Sequence, residues 1–231
     1  MRIKLVTVVI LPLLSFALFA EDVVVTPESM FALGVNAGTK GVGLDGLFNL
    51  NDYFNLRLSY SQFNTDEDFD EDGISYSGDL DLDTSGLSVE YYPFAGDFRI
   101  AAGYYNNGSA IAAQAQPDSA GTVNVNGFDY DISGEFVRSD LDWDSGAPYI
   151  GMGWGNAFAN GSGFSFAIDV GVLFTDEPTA TLSASDGLFD QAAILGRDLN
   201  QDLSAEETEL NNDLSEFDVY PVMQLSFTYS F

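Results

Sequence analysis

From Met223 to Phe231 every odd position is apolar or aromatic, and the even ones, Gln224, Ser226, Thr228 and Ser230, are polar. A period of two predicts a β-strand with one apolar face. Seven further stretches repeat it. Phe31, Leu33, Val35 and Ala37 oppose Ala32, Gly34 and Asn36; Val42, Leu44 and Phe48 oppose Gly43 and Asp45; Phe54, Leu56, Leu58 and Tyr60 oppose Asn55, Arg57 and Ser59. Leu87, Val89 and Tyr91 oppose Ser88 and Glu90, and Phe98, Ile100, Ala102 and Tyr104 oppose Arg99, Ala101 and Gly103. Ile150, Met152 and Trp154 alternate with glycines, and the row from Phe164 through Phe166, Ile168, Val170 and Val172 to Phe174 alternates with Ser165, Ala167, Asp169 and Gly171.

Turns separate these eight strands. Short ones fall at 49–53, 93–97 and 157–163, and Gly38-Thr39-Lys40-Gly41 makes a tight one on the opposite side. Within the strand expected from Ile74 to Tyr92 the apolar phase changes at Thr84-Ser85-Gly86, which predicts a bulge or bend. Three long acidic loops are expected: nine acids lie between Asn64 and Asp83, seven between Asn107 and Gly146, and twelve between Thr175 and Asp218. A hairpin within Gly121–Trp143 would extend the sheet beyond the ring. Ser204 and Glu207 have capping-box spacing, so one short loop helix is expected at about 204–215.

The apolar rows need a partner. In a soluble sandwich or lipocalin-like barrel they would fill a core and the opposite rows would face water. Those rows, however, are Gly and Ser with few Lys or Glu, which suits the inside of a barrel whose greasy side meets lipid. Met1-Arg2-Ile3-Lys4 followed by the apolar run Leu5–Phe19 and by Ala20 reads as a secretory signal peptide over residues 1–20, too short for a spanning helix. Residues 21–231 are then one transmembrane barrel domain. Cysteine is absent, so packing and backbone pairing must hold it. Seven basic residues stand against 36 acids, and a formal charge of −29 excludes nucleic acid as a partner.

With these strands, the signal segment and the terminal Tyr229-Ser230-Phe231, the sequence resembles the small eight-stranded outer-membrane β-barrels of Gram-negative bacteria, of OmpA and opacity type. Tyr92–Arg99 and Ala147–Asn156 look like pieces that recur in uncharacterised members. The resemblance implies an all-β, antiparallel, up-and-down barrel in the cell outer membrane, with long extracellular loops. It implies lipid and lipopolysaccharide as surroundings, and reading of Phe231 by the barrel assembly machinery. No peptidoglycan-binding domain of OmpA type is expected after the barrel, and the oligomeric state is left open.

Histidine is also absent, which removes the usual base for a hydroxyl nucleophile, so no enzymatic activity is expected. Asp45, Arg57, Glu90, Arg99 and Asp169 fall in the inward rows, where charges must pair or be solvated. They read first as a salt-bridge plug, and alternatively as the constriction of a narrow, porin-like channel for small solutes or ions. Asp66–Gly73 contains D-x-D-x-D-G, so Asp68, Asp70, Asp72 and Asp79 have the spacing of a calcium loop. Diffuse divalent counter-ions in the loops are the competing reading, and no other cofactor is expected. Two roles follow: a structural or surface-interaction protein, or a narrow channel.

Overall fold

The computed structural model describes residues 29–71, 74–115, 121–143, 146–215 and 217–231, and of these the side chains other than 69–71, 74 and 75. The expected signal peptide lies outside the described residues. The strands are β1 (Phe31–Gly38), β2 (Gly41–Asn51), β3 (Phe54–Glu71), β4 (Ile74–Tyr91), β5 (Phe98–Asn107), β6 (Ala110–Ala115), β7 (Thr122–Val125) and β8 (Phe128–Asp131). They continue with β9 (Val137–Asp142), β10 (Ala147–Trp154), β11 (Gly163–Phe174) and β12 (Thr179–Ala184); helices α1 (Asp186–Ile194) and α2 (Leu199–Leu214) then precede β13 (Val219–Ser230).

One large antiparallel sheet runs β12-β9-β6-β4-β3-β2-β1-β13-β11-β10-β5, and β4 also pairs with β5. That last pairing closes β1, β2, β3, β4, β5, β10, β11 and β13 into a ring. Strand β4 belongs to two structures at once: Thr84–Tyr91 pairs with β5, and Tyr76–Asp81 pairs with β6. Above the ring, β6, β9 and β12 continue the sheet, while β7 and β8 form a separate hairpin.

Alternation sets the two faces of the ring. Leu33, Phe166 and Phe227 on the outside are 61%, 59% and 49% exposed, whereas Asp45, Arg99 and Ser226 on the inside are 2%, 0% and 1% exposed. Among the described residues no helix is long and apolar enough to cross a membrane, which says nothing of strands. Aromatic pairs gather at the short-turn end: Phe54 stacks on Tyr91 at 5.0 Å, Phe31 meets Phe48 at 5.0 Å, and Phe164 meets Tyr229 at 4.8 Å.

The acidic segments are more ordered than their composition suggests. Residues 64–71 and 74–83 are strand, not loop, with continuous pairing from Phe54 opposite Tyr91 to Glu71 opposite Ile74. No bulge occurs at Thr84-Ser85-Gly86. The phase changes because the apolar row changes faces: Leu87, Val89 and Tyr91 are on the outer wall, but Tyr76, on the inner face, packs against a second core above the ring. That core holds Val125, Tyr130, Ile132, Leu188, Ala192, Leu199 and Leu203, with Leu182 and Ala184 of β12 against it. It explains why strands and helices persist where solvated loops are expected: a sheet with an apolar cover is stable, a lone hairpin is not.

Two helices replace the expected one. Helix α2 starts five residues before Ser204, because Asp198 is its N-cap and accepts from the Asn200 backbone N–H at 3.1 Å. Glu207 therefore sits in the third turn and bonds elsewhere: it accepts from the Leu182 backbone N–H at 2.7 Å. Helix α1 went unanticipated because its buried face is only Leu188 and Ala192, too few positions to establish a period.

Candidate functional site

The bore of the ring is the site. Asp45, Arg57, Glu90, Arg99 and Asp169 come from five strands and converge there. Arg99 and Asp169 flank Gly153 across β5, β10 and β11. Because Gly153 has no side chain, the Arg99 guanidinium crosses it, and Nη2 donates to Asp169 Oδ1 at 2.6 Å and Oδ2 at 2.7 Å. Arg99 Nη1 donates to the Gly155 carbonyl, and Nε lies 3.2 Å from Glu90 Oε1 in an ion pair.

Arg57 is the hub. Its Nη2 is 2.7 Å from Glu90 Oε1, and its Nη1 is 3.2 Å from Asp45 Oδ2 and 3.5 Å from Asp169 Oδ2. Hydroxyls and amides satisfy the remaining oxygens. Asp45 accepts from Ser59 Oγ at 2.6 Å, Asn36 Nδ2 at 2.9 Å and Ser226 Oγ at 3.1 Å, and Tyr92 Oη donates to Glu90 Oε2 at 2.9 Å. The Nε of each arginine makes no hydrogen bond, but the paired ions tie strands together, since each lost partner would strand a buried charge.

Toward the loop end an apolar layer covers the charges: Ala101, Tyr105, Ala147, Tyr149, Leu173 and Val222. The Tyr105 and Tyr149 rings meet edge to face at 5.4 Å, and the ammonium of Lys40 lies 4.3 Å from the centre of the Tyr105 ring. What remains between the layers is a cavity of about 20 Å³, lined by Lys40, Asp45, Arg57, Glu90, Asp169, Gln224 and their neighbours. That is room for one water. The inward glycines do not widen the bore, because other side chains take their space: a Cβ on Gly151 would stand 2.2 Å from Tyr149 Oη, and one on Gly86 2.3 Å from the Tyr105 ring.

A second polar cluster locks the cap. Asp202 of α2, 3% exposed, accepts from Tyr130 Oη at 2.7 Å, Asn126 Nδ2 at 3.1 Å and Arg197 Nε at 2.8 Å. Arg197 in turn covers the Phe128 ring, 3.1 Å from its centre. Its guanidinium holds the Asp202 carboxyl well below the usual carboxylate range, and burial pushes the Tyr130 phenol up.

Of the expected calcium residues, Asp68, Asp70 and Asp79 stand on the paired strands β3 and β4. Asp66 is opposite Asp79 and Asp68 opposite Ser77, and Arg138 Nη1 lies 3.9 Å from Asp79 Oδ2. Asp72 and the side chain of Asp70 lie outside the described residues. Among the described residues no group of three or more His, Cys, Asp or Glu is placed to hold a metal ion. Phe231 is 62% exposed, and its backbone N–H donates to the Phe31 carbonyl at 2.9 Å. Sequence reasoning missed Lys40, Asn36, Tyr92 and Gln224. Three of these lie in or beside inward rows, but Lys40 belongs to a turn, where alternation carries no information.

No protein-family model matches the chain, and no curated protein does. Solved structures of two Acinetobacter baumannii proteins do resemble it. CarO2 aligns at 22% identity with a TM-score of 0.59, over 87% of this chain and 98% of its own. CarO aligns at 21% identity with a TM-score of 0.57, over 88% of this chain and 98% of its own. At that identity the likeness is one of fold.

Proposed function

We propose that this chain is an exported outer-membrane protein whose eight-strand ring spans the bilayer with its bore closed. Its folded acidic cap would lie outside the cell, in a structural or surface-interaction role without catalysis. The observation that carries this reading is the bore itself, filled by five hydrogen-bonded charges under an apolar layer, with about 20 Å³ left. An exposed apolar wall on a sheet with a polar inside needs lipid, and aromatic pairs at one rim suit a membrane interface. The shared fold with the two CarO structures supports the same architecture. Outside, the cap carboxylates would gather divalent cations as counter-ions beside lipopolysaccharide.

Single-channel recording in planar bilayers tests the closed bore. The expected result is no discrete opening. Regular openings whose conductance changes in Arg57→Ala or Arg99→Ala would instead establish the narrow-channel reading. Titration calorimetry with calcium chloride tests the counter-ion reading: the heat should vanish in 0.3 M potassium chloride, and a salt-resistant one-site isotherm would reject it.

A further inference from the structure

Lys40 is the outlier of the bore. It is 5% exposed and sits in the two-residue turn between β1 and β2, yet among the described residues it makes no ion pair within 4.0 Å. Its inward course is built in. Thr39 Oγ1 donates to the Pro221 carbonyl at 3.0 Å and accepts from the Met223 backbone N–H at 3.1 Å, and Tyr220 Oη donates to the Thr39 carbonyl. These bonds pin the turn to β13 and leave Lys40 over the mouth of the cavity.

A buried ammonium without a carboxylate partner is unfavourable unless the surrounding field suits it. Here the field does. Arg57 and Arg99 against Asp45, Glu90 and Asp169 leave the network one negative charge in excess, and Lys40 balances it. The ammonium also meets the face of Tyr105, whose ring quadrupole attracts cations. A third feature points the same way: Gln224 lines the cavity, is 4% exposed, and its buried Oε1 has no hydrogen-bond partner, while its Nε2 is anchored on Asn36 Oδ1 at 2.7 Å. An excess negative charge, a π face and an orphan carbonyl oxygen are groups that recognise a cation, and none of them would hold an anion.

We infer that Lys40 fills a monovalent-cation site at the loop end of the bore as a tethered ammonium, and that a free monatomic cation takes its place when the side chain is removed. The inference rests on the reading of the bore as closed, but its test does not depend on conductance. The lysine would act as a stopper: while it is seated the bore is neutral and holds no ion, and withdrawal of its turn would uncover a cation-attracting cavity.

Thermal unfolding of the purified, refolded protein in detergent micelles tests this, in 0.15 M sodium chloride against 0.15 M choline chloride. Both salts screen the acidic surface equally, and only sodium is small enough to enter. Lys40→Ala should gain roughly 3 °C in sodium over choline, with less than about 1 °C for the parent. In Lys40→Ala with Asp45→Asn, where the charges balance again, the gain should vanish. Equal melting of Lys40→Ala in the two salts would overturn the inference, and so would a gain that survives Asp45→Asn. If Lys40→Ala fails to fold, Lys40→Gln is read by the same two outcomes.

Discussion

Arg99 reaches Asp169 across the bare backbone of Gly153, with Nη2 within 2.7 Å of both carboxylate oxygens. Three neighbouring strands thus share one ion pair, and the glycine is a condition of it. A Cβ on Gly153 would stand 2.3 Å from Asp169 Oδ1 and 3.0 Å from Arg99 Cζ. Gly153→Ala should therefore destabilise the ring by about 1–3 kcal/mol, the usual cost of overpacking. Equilibrium urea unfolding in detergent measures it.

Removing a partner should cost more than crowding one. Arg99→Ala leaves Glu90 and Asp169 short of a buried cation, an effect on the order of 3–5 kcal/mol. Adding Asp169→Ala should recover part of that loss, because the stranded charge goes with it. The unfolding midpoints of the two single variants and the double variant give the coupling, and strict additivity would show that the pair does not act as one.

The cap should come loose without the ring. Asp202→Ala removes the acceptor shared by Tyr130, Asn126 and Arg197. Faster hydrogen exchange in 121–143 and 186–214 is the expected outcome, with exchange in β11 and β13 unchanged. Acid should act through the same residue. The Asp202 carboxyl is held low by Arg197, so its contribution to cap docking is full above the ordinary aspartate range near pH 4 and is lost as pH falls through the depressed folded value. Exchange in the cap should be flat from pH 5 to 8 after correction for intrinsic rates, and Asp202→Asn should remove the acid-dependent loss.

The free edge of β12 is capped by a helix. Asn211 accepts from the Ala180 backbone N–H at 2.8 Å and donates to its carbonyl at 3.1 Å, while Glu207, one turn earlier, accepts from the Leu182 N–H. Four helical residues advance about 6 Å and two strand residues about 6.6 Å, so α2 presents its side chains at the spacing of a neighbouring strand. Asn211→Ala with Glu207→Ala should uncover a strand edge and promote self-association. Light scattering after size exclusion checks it: a shift toward dimers and larger species is expected at unchanged heat-modifiable migration.

Much of the ring is legible in the residues because the period of two repeats the geometry of a pleated strand, and Asp45, Arg57, Glu90, Arg99 and Asp169 sit in one set of rows. Which oxygen each guanidinium takes depends on register, and register is not written in alternation alone. Above the ring the pattern misleads for a physical reason. At Thr84 the apolar row passes from the outer wall to the face that meets the core above the ring, so an unbroken strand looks as though it bends. In the acidic segments, charges on β3, β4, β9 and α2 outweigh the few buried positions that fix them. Lys40 is illegible because turn residues have no face.

Everything depends on which side of the wall meets hydrocarbon, and the absence of cysteine makes that directly measurable. Spin labels placed one at a time along 164–171 in lipid vesicles, with their collision rates with oxygen and with a water-soluble nickel complex, read the side on which each residue lies. High oxygen access is expected at positions 166, 168 and 170, and little access to either reagent at 167 and 169. Labels at 166, 168 and 170 that are shielded from oxygen and immobilised, with 167 and 169 open to the nickel complex, would contradict it.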